Sequence, residues 1–379
     1  MKATTIMSGG DTKGYSIQRI PPEILAGILS RLSVKSLCPL KCVSPSWNSL
    51  ISSPYFAKTH LKQTSINKIF LVSDSEDLYS VDYADANPST KKLDFPSVQH
   101  SPKWDKVWGS CNGLLLVYDN GYFPVLLNPT TGERKKLPTS VVLDSIINLD
   151  SKNHKPYIFR HGFGYDSSRD DYKVVMLLYP GKTDSVTMNN VAVLVHLLKT
   201  DAWRRIQDTH YHPLGLECYS GVQVNERLHW LCRRTGVSDG SKVIVAFNLS
   251  DEIFREVQLP TLFNDYDSLY LHMAVLGDCL CVIVCPLSYR NEVWMMKEYG
   301  VRESWTNFTI NPGMDLLCLL AEDEYLMKTR GKLLDVLLQE KLVVYKPKKE
   351  TLRDMVVPGI PPKCQHGITD HLCREPCLS

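Results

Sequence analysis

The stretch Gly162-Phe163-Gly164-Tyr165-Asp166-Ser167-Ser168-Arg169-Asp170-Asp171-Tyr172-Lys173-Val174-Val175 decides how most of the chain is read. An apolar and aromatic run stops at the polar cluster Asp166 to Asp170, and a second apolar run follows at once, which is the punctuation of short strands joined by tight turns. Asn128-Pro129-Thr130-Thr131-Gly132 interrupts apolar runs in the same way. Beyond residue 66 the alternation continues, so this part of the chain reads as all-β.

The strands recur as a unit: an apolar strand, a polar turn, then an aromatic or basic residue leading to a short strand that often ends in Leu-Pro. Copies appear at Leu127-Asn128 to Leu137-Pro138, Leu198-Lys199 to Ile206, Phe247-Asn248 to Leu259-Pro260, and Met296-Lys297 to Trp305. Trp203, Phe254 and Trp305 are spaced 51 residues apart. A period near that length suits four-stranded propeller blades, each of which buries its faces against its neighbours. Weaker copies at Tyr79 to Pro96 and Leu342 to Pro358 bring the expectation to about six blades; an antiparallel sandwich with irregular hairpins is the competing architecture. Repetition assigns Trp203, Trp230, Trp294 and Trp305 to packing between blades. Specificity is expected instead in five irregular insertions: Leu143 to Pro156, Pro180 to Asn190, Thr209 to Glu217, Arg233 to Ser241 and Leu262 to Leu269.

Before this body the period is helical. Ile24, Leu25, Ile28, Leu29 and Leu32 form one stripe of an amphipathic helix, with Pro21-Pro22-Glu23 suited to its first turn. Gly27 within it costs about 1 kcal/mol relative to Ala. A second unit, Val34 to Val43, carries Pro39 in its middle, where a break or kink is expected. A third starts at Ser44 as N-cap with Pro45 in the first turn, placing Trp47, Leu50 and Ile51 on one face. Three short helices bury too little to stand alone, and this much apolar surface calls for a partner.

The string Ile20-Pro21-Pro22-Glu23-Ile24, Ile28 to Leu37, Lys41 to Ser44, Trp47 and Leu50 to Phe56 closely resembles the plant F-box motif, departing from it at Ile20, Ser33, Pro39, Leu40 and Pro45. The resemblance implies binding of the Skp-type adaptor of a Skp, cullin and F-box ubiquitin ligase. Its adaptor-binding residues would be Pro21, Ile24, Leu25, Ile28, Leu29, Leu32, Val34, Leu37, Val43, Trp47, Leu50 and Ile51, with Leu25, Leu29 and Trp47 serving the packing of the helices as well. The β region resembles the F-box-associated domain of plant F-box proteins, including F-box/kelch-repeat and self-incompatibility F-boxes. Gly109 to Leu115, Asn128 to Glu133, Gly162 to Asp166, Asp170 to Val175, Leu228 to Leu231, Val245 to Leu249 and Val293 to Trp305 carry that likeness.

The resulting expectation is an α+β multidomain chain: a disordered N-terminus (1–16), a three-helix F-box (17–62), an all-β, β-propeller-like domain of about six blades (66–358) and an irregular tail (359–379). The resemblance implies a substrate-recognition subunit that holds the adaptor, and through it a cullin, at one end and an unknown target protein at the other, for ubiquitination and degradation. Rival readings are a propeller enzyme with a helical head, and an interaction or carbohydrate-binding propeller with a degenerate F-box.

Composition agrees with a binding role. A net charge of +2 creates no general field for nucleic acid or membrane, although residues 1 to 60 carry seven Lys or Arg against two Asp or Glu. The first fifteen residues lack the apolar core of a signal peptide and the longest apolar stretch is too short to span a bilayer, so cytoplasm or nucleus is the expected location. Twelve Cys then remain thiols, and the acceptor patterns at Asn248 and Asn307 go unused. Cys364, His366, His371, Cys373 and Cys377 fit no standard zinc spacing, and His210 and His212 lack a third ligand and suit a solvated loop. No catalytic set stands out, and neither metal nor cofactor is expected.

Overall fold

The computed structural model describes residues 21–53, 55–56, 59–60, 68–72, 77–82, 89–93, 104–119, 123–138, 157–180, 191–214, 220–234, 241–260, 263, 271–285, 291–311, 314–321, 324–329, 332–333, 336–337, 342–355 and 368–373. The expected disordered N-terminus lies outside them, as do Ile20 and most of the five insertions. Two units are present, one ending at Gln63 and the other spanning Thr64–Cys377.

The first unit holds three helices. α1 (Pro22–Leu29) starts with proline in its first turn, where the missing N–H costs nothing. α2 (Val34–Leu40) and α3 (Pro45–Ile51) are each N-capped by serine: the Ser33 and Ser44 hydroxyls accept from the amides of Ser36 and Trp47 at 3.3 and 3.2 Å. Pro39 does not break α2 as expected. It sits in the last turn, so the chain forfeits one hydrogen bond and ends the helix at Leu40. Ala26, Leu29, Leu37, Ile51 and Phe56 form the interior, with Leu25, Leu32, Leu40, Trp47 and Leu50 packed around them.

Among the described residues the second unit forms six sheets of four or five strands. The first blade contains β1 (Lys68–Val72), β2 (Leu78–Asp82) and β3 (Ser89–Lys92), and the second β4 (Trp104–Cys111), β5 (Leu114–Asp119), β6 (Phe123–Leu127) and β7 (Arg134–Lys136). The third comprises β8 (Tyr157–Asp166), β9 (Asp171–Pro180), β10 (Ala192–Leu197) and β11 (Ala202–Arg205). In the fourth, the short β12 (Tyr211–Pro213) and β13 (Val222–Val224) both pair with β14 (Arg227–Arg234), followed by β15 (Lys242–Asn248) and β16 (Phe254–Val257). The fifth has β17 (Leu271–Leu276), β18 (Cys279–Val284), β19 (Asn291–Met296) and β20 (Trp305–Ile310). The sixth has β21 (Met314–Ala321) and β22 (Glu324–Thr329), a two-stranded excursion β23 (Lys332–Leu333) and β24 (Val336–Leu337), then β25 (Leu342–Lys346) and β26 (Thr351–Met355).

The tail corrects an expectation. Within 359–379, read from sequence as irregular, β27 (Ile368–Cys373) pairs antiparallel with β1 and completes the first blade. The innermost strands β27, β4, β8, β13, β17 and β21 then contact one another in succession, and β21 returns to β27. The ring is closed by the two ends of the β region meeting in one sheet, which removes an exposed edge.

All pairings within the sheets are antiparallel, so two kinds of connection separate to opposite ends of each blade. Turns from first to second and from third to fourth strand share one end. The third-to-fourth turns place one residue at positive φ in each of blades two to six: Gly132 (77°), Asp201 (52°), Glu252 (60°), Gly300 (83°) and Glu350 (49°). Asn128 and Asn248 organise two of these turns, their side-chain oxygens accepting from Thr130 and Ser250 amides at 3.0 and 2.8 Å. Connections from second to third strand, and from blade to blade, lie at the other end. Four of the five insertions singled out from sequence fall between strands joined at this end, whereas Thr209 to Glu217 contains β12 and runs into the link from β12 to β13.

The regular aromatics serve packing between blades. The Trp203 indole donates to the Pro138 carbonyl at 2.8 Å and the Trp305 indole to the Gln258 carbonyl at 3.1 Å, each reaching the end of the preceding blade's outer strand. Trp230 is buried and donates to the His161 carbonyl at 3.2 Å.

Candidate functional site

Two places present functional surface: one face of the helical unit and one seam of the ring.

In the helical unit, burial sorts eleven of the twelve sequence-predicted residues into three groups. Leu29, Leu37 and Ile51 are interior, at 2%, 1% and 1% exposure, while Leu25, Leu32, Trp47 and Leu50 are half-buried at its margin. Pro21 is exposed, and Ile24, Ile28 and Val43 stand 56%, 52% and 59% exposed. The side chain of Val34 lies outside the described set. Ile24 and Ile28 share a helix face four residues apart, with Gly27 between them. Among the described residues, seven large apolar side chains are strongly exposed, and four of them (Ile24, Ile28, Val43 and Tyr55) belong to this small unit. Leu29, Leu37 and Ile51 hold the helices together, and the outward stripe is left without cover inside its own unit.

The seam between the third and fourth blades explains the Gly-Phe-Gly segment. Gly162 and Gly164 of β8 face the fourth blade, and a Cβ on Gly162 would fall 2.7 Å from both Leu228 Cδ1 and Trp230 Cζ2. A Cβ on Gly164 would sit 2.6 Å from Leu249 Cδ1. Only glycine permits the approach. At the turn end of this seam Lys173, with no exposed surface, places Nζ 2.9 Å from Asp166 Oδ2 and 2.9 Å from Glu252 Oε1, and also donates to the Leu249 carbonyl. Arg204 pairs with Glu252, and Arg169 reaches it at 3.4 Å. Burial alone would raise the carboxyl of Asp166, but hydrogen bonds from Ser168 and Lys173, with the Lys173 charge, hold it below the ordinary range. Glu252 is lowered in the same way, burial being outweighed by Lys173 and Arg204. The segment Asp166 to Lys173 is therefore an inter-blade lock.

At the opposite end of the same seam, His212 lies in β12 against the Tyr179 ring, 4.3 Å between centroids, and not in a solvated loop as the sequence suggested. Its neighbour His210 is exposed. The described cysteines are thiols, and among the described residues no three His, Cys, Asp or Glu side chains come together as a metal ion requires. Cys364, His366 and Cys377 lie outside that set, as do the side chains of His371 and Cys373. Among the same residues no helix is long and apolar enough to cross a membrane.

Comparison with known proteins gives this geometry a lineage. Residues 68–356 match the model of the F-box associated beta propeller domain. This chain belongs to the F-box-associated β-propeller family. Ahead of that domain, residues 17–59 match the F-box domain, whose presence implies binding of a Skp-type adaptor in general. Relatives occur among the F-box proteins of Arabidopsis thaliana. The chain is 33% identical to F-box protein CPR1 over 77% of its own length and 73% of that protein. It is 28% identical to F-box/kelch-repeat protein At3g23880 over 79% and 81%, and 26% identical to F-box protein At3g07870 over 92% and 90%. An F-box joined to an F-box-associated propeller is the general make-up of a substrate receptor of Skp, cullin and F-box ligases, whose F-box subunits are typically non-catalytic.

Proposed function

We propose that this chain is the target-binding subunit of a Skp, cullin and F-box ubiquitin ligase. The outward stripe of Pro21, Ile24, Ile28 and Val43, flanked by Leu25, Leu32, Trp47 and Leu50, docks on the adaptor. The adaptor connects to a cullin, and the loop-bearing end of the propeller holds a protein target. The chain contributes binding and no bond chemistry. Ubiquitin is transferred because the target is kept close at high effective concentration, and the modified target is degraded, in the cytoplasm or nucleus.

The observation that carries this reading is the concentration of exposed apolar side chains on a unit whose interior is otherwise packed. Surfaces of that kind cost solubility unless a partner covers them. The test is co-purification of a plant Skp-type adaptor with the full chain and with a version lacking residues 1–60. Retention by the first and not by the second supports the assignment; retention by neither overturns it.

A further inference from the structure

Acid is missing from one part of the chain. From Ile24 to Gln63, where the first unit ends, the sequence holds Arg31, Lys35, Lys41, Lys58 and Lys62 and no Asp or Glu. The ring treats its cations differently: Lys92 pairs with Asp77, Lys135 with Asp201, Arg205 with Asp208 and Arg234 with Glu256. Arg31 and Lys41 meet no carboxylate among the described residues. Residues 1–63 carry eight Lys or Arg against Asp11 and Glu23 alone, so in a chain of net charge +2 the remainder is negative overall.

The cations stand beside the exposed apolar residues. Arg31, itself exposed, lies in the turn that prolongs α1, its amide bonded to the Ile28 carbonyl at 3.2 Å, and so follows Ile24 and Ile28 at the next repeat of the helix. Lys41 is the C-cap of α2, two residues before the exposed Val43. An apolar stripe edged with positive charge fits a partner surface that is apolar in the middle and acidic at the rim. Charge acts over about 10 Å at 0.1 M salt, so it guides the encounter before any apolar contact forms. The apolar contacts that follow set how long the complex lasts. A lipid surface is the poorer match. The helices are eight, seven and seven residues long and turn Leu29, Leu37 and Ile51 inward, which leaves little apolar area to sink into a bilayer.

Resting on the receptor reading above, we propose that the adaptor surface received by this unit is acidic at its rim, that Arg31 and Lys41 draw it in, and that Ile24, Ile28 and Val43 then hold it.

The test is stopped-flow association of the full chain with a plant Skp-type adaptor in about 0.1 M and about 1 M sodium chloride. The association rate is expected to fall at least about tenfold between the two, and this salt dependence tests the proposal without any variant. At the lower salt the double variant Arg31→Glu, Lys41→Glu should associate at least about tenfold more slowly than the parent, with dissociation within about twofold. Ile28→Ala should do the reverse, dissociating faster with little change in association. Both cations also lie at the C-terminal turns of their helices, where positive charge offsets the helix end. A role confined to that purpose lowers the melting point of the helical unit and leaves the association rate alone, so circular dichroism melts of the double variant accompany the kinetics. An association rate insensitive to salt, or unchanged in the folded double variant, overturns the proposal while the receptor reading stands. Absence of any adaptor binding by the parent chain overturns both, and sedimentation of that chain with vesicles of phosphatidylserine but not of phosphatidylcholine would then assign the cations to a lipid surface.

Discussion

The helical unit and the ring handle similar apolar residues in opposite ways. Along β8, β9, β14 and β15 nearly every described apolar side chain is buried against a neighbouring blade, and β27 pairs with β1 to close the ring. In the three helices, Ile24, Ile28 and Val43 remain outside while Leu29 and Leu37, a few residues away, are fully enclosed. A closed ring has spent its apolar surface on itself and leaves chiefly loops and charge to the solvent. An open three-helix unit keeps apolar surface in reserve for another protein.

The strongest way to break the ring side of this contrast is Lys173→Met, which leaves Asp166 and Glu252 facing each other in a buried place. A loss of about 3–5 kcal/mol in propeller stability is expected by chemical denaturation. Acid sharpens it. Both carboxyls have folded values held below the ordinary range, so their contribution is complete above that range and is lost as pH falls through the folded values. The gap between the parent and Lys173→Met should therefore narrow between about pH 5 and pH 3, and a gap that stays constant would remove the ion pairs from the account.

On the helical side, Ile28→Asp should cost about 2 kcal/mol or more in adaptor affinity, roughly a thirtyfold weakening by titration calorimetry, with propeller melting unchanged. Leu29→Asp, one residue away, should lose the adaptor by a different route, since a charge in the interior unfolds the helices; far-ultraviolet circular dichroism of the two variants tells the cases apart. Trp305→Phe keeps the ring but deletes the bond to the Gln258 carbonyl, and about 1 kcal/mol of propeller stability should go with it. The smallest effect is a gain. A Cβ on Gly27 meets nothing within 4 Å, so Gly27→Ala should add up to about 1 kcal/mol to α1, read as a higher melting point of the helical unit.

Sequence made the two architectures legible because each leaves a period. Ile24, Leu25, Ile28 and Leu29 announce a helix, and the spacing of Trp203, Phe254 and Trp305 announces blades whose third-to-fourth turns share a left-handed residue. It also assigned those tryptophans to packing, where Trp203 and Trp305 each bond the preceding blade. Sequence spacing could not sort Ile28 from Leu29, because a stripe of apolar residues does not say how much of itself the neighbouring helices cover. β27 was missed since Ile368-Thr369-Asp370-His371-Leu372-Cys373 shows little alternation and is a strand by virtue of the waiting edge of β1. Tyr179 meets His212 across a blade boundary, and Glu252 reaches Lys173 from the next blade; no local pattern marks either.

The pairing of β27 with β1 also orders events during synthesis. Of the described strands of the ring, β1 emerges from the ribosome first and its neighbour β27 last, so the nascent propeller carries an open first blade until every other blade has been made. The helical unit, made earlier and from local contacts, is complete long before that moment. The helical unit therefore presents its finished apolar face while the ring still waits for its last strand.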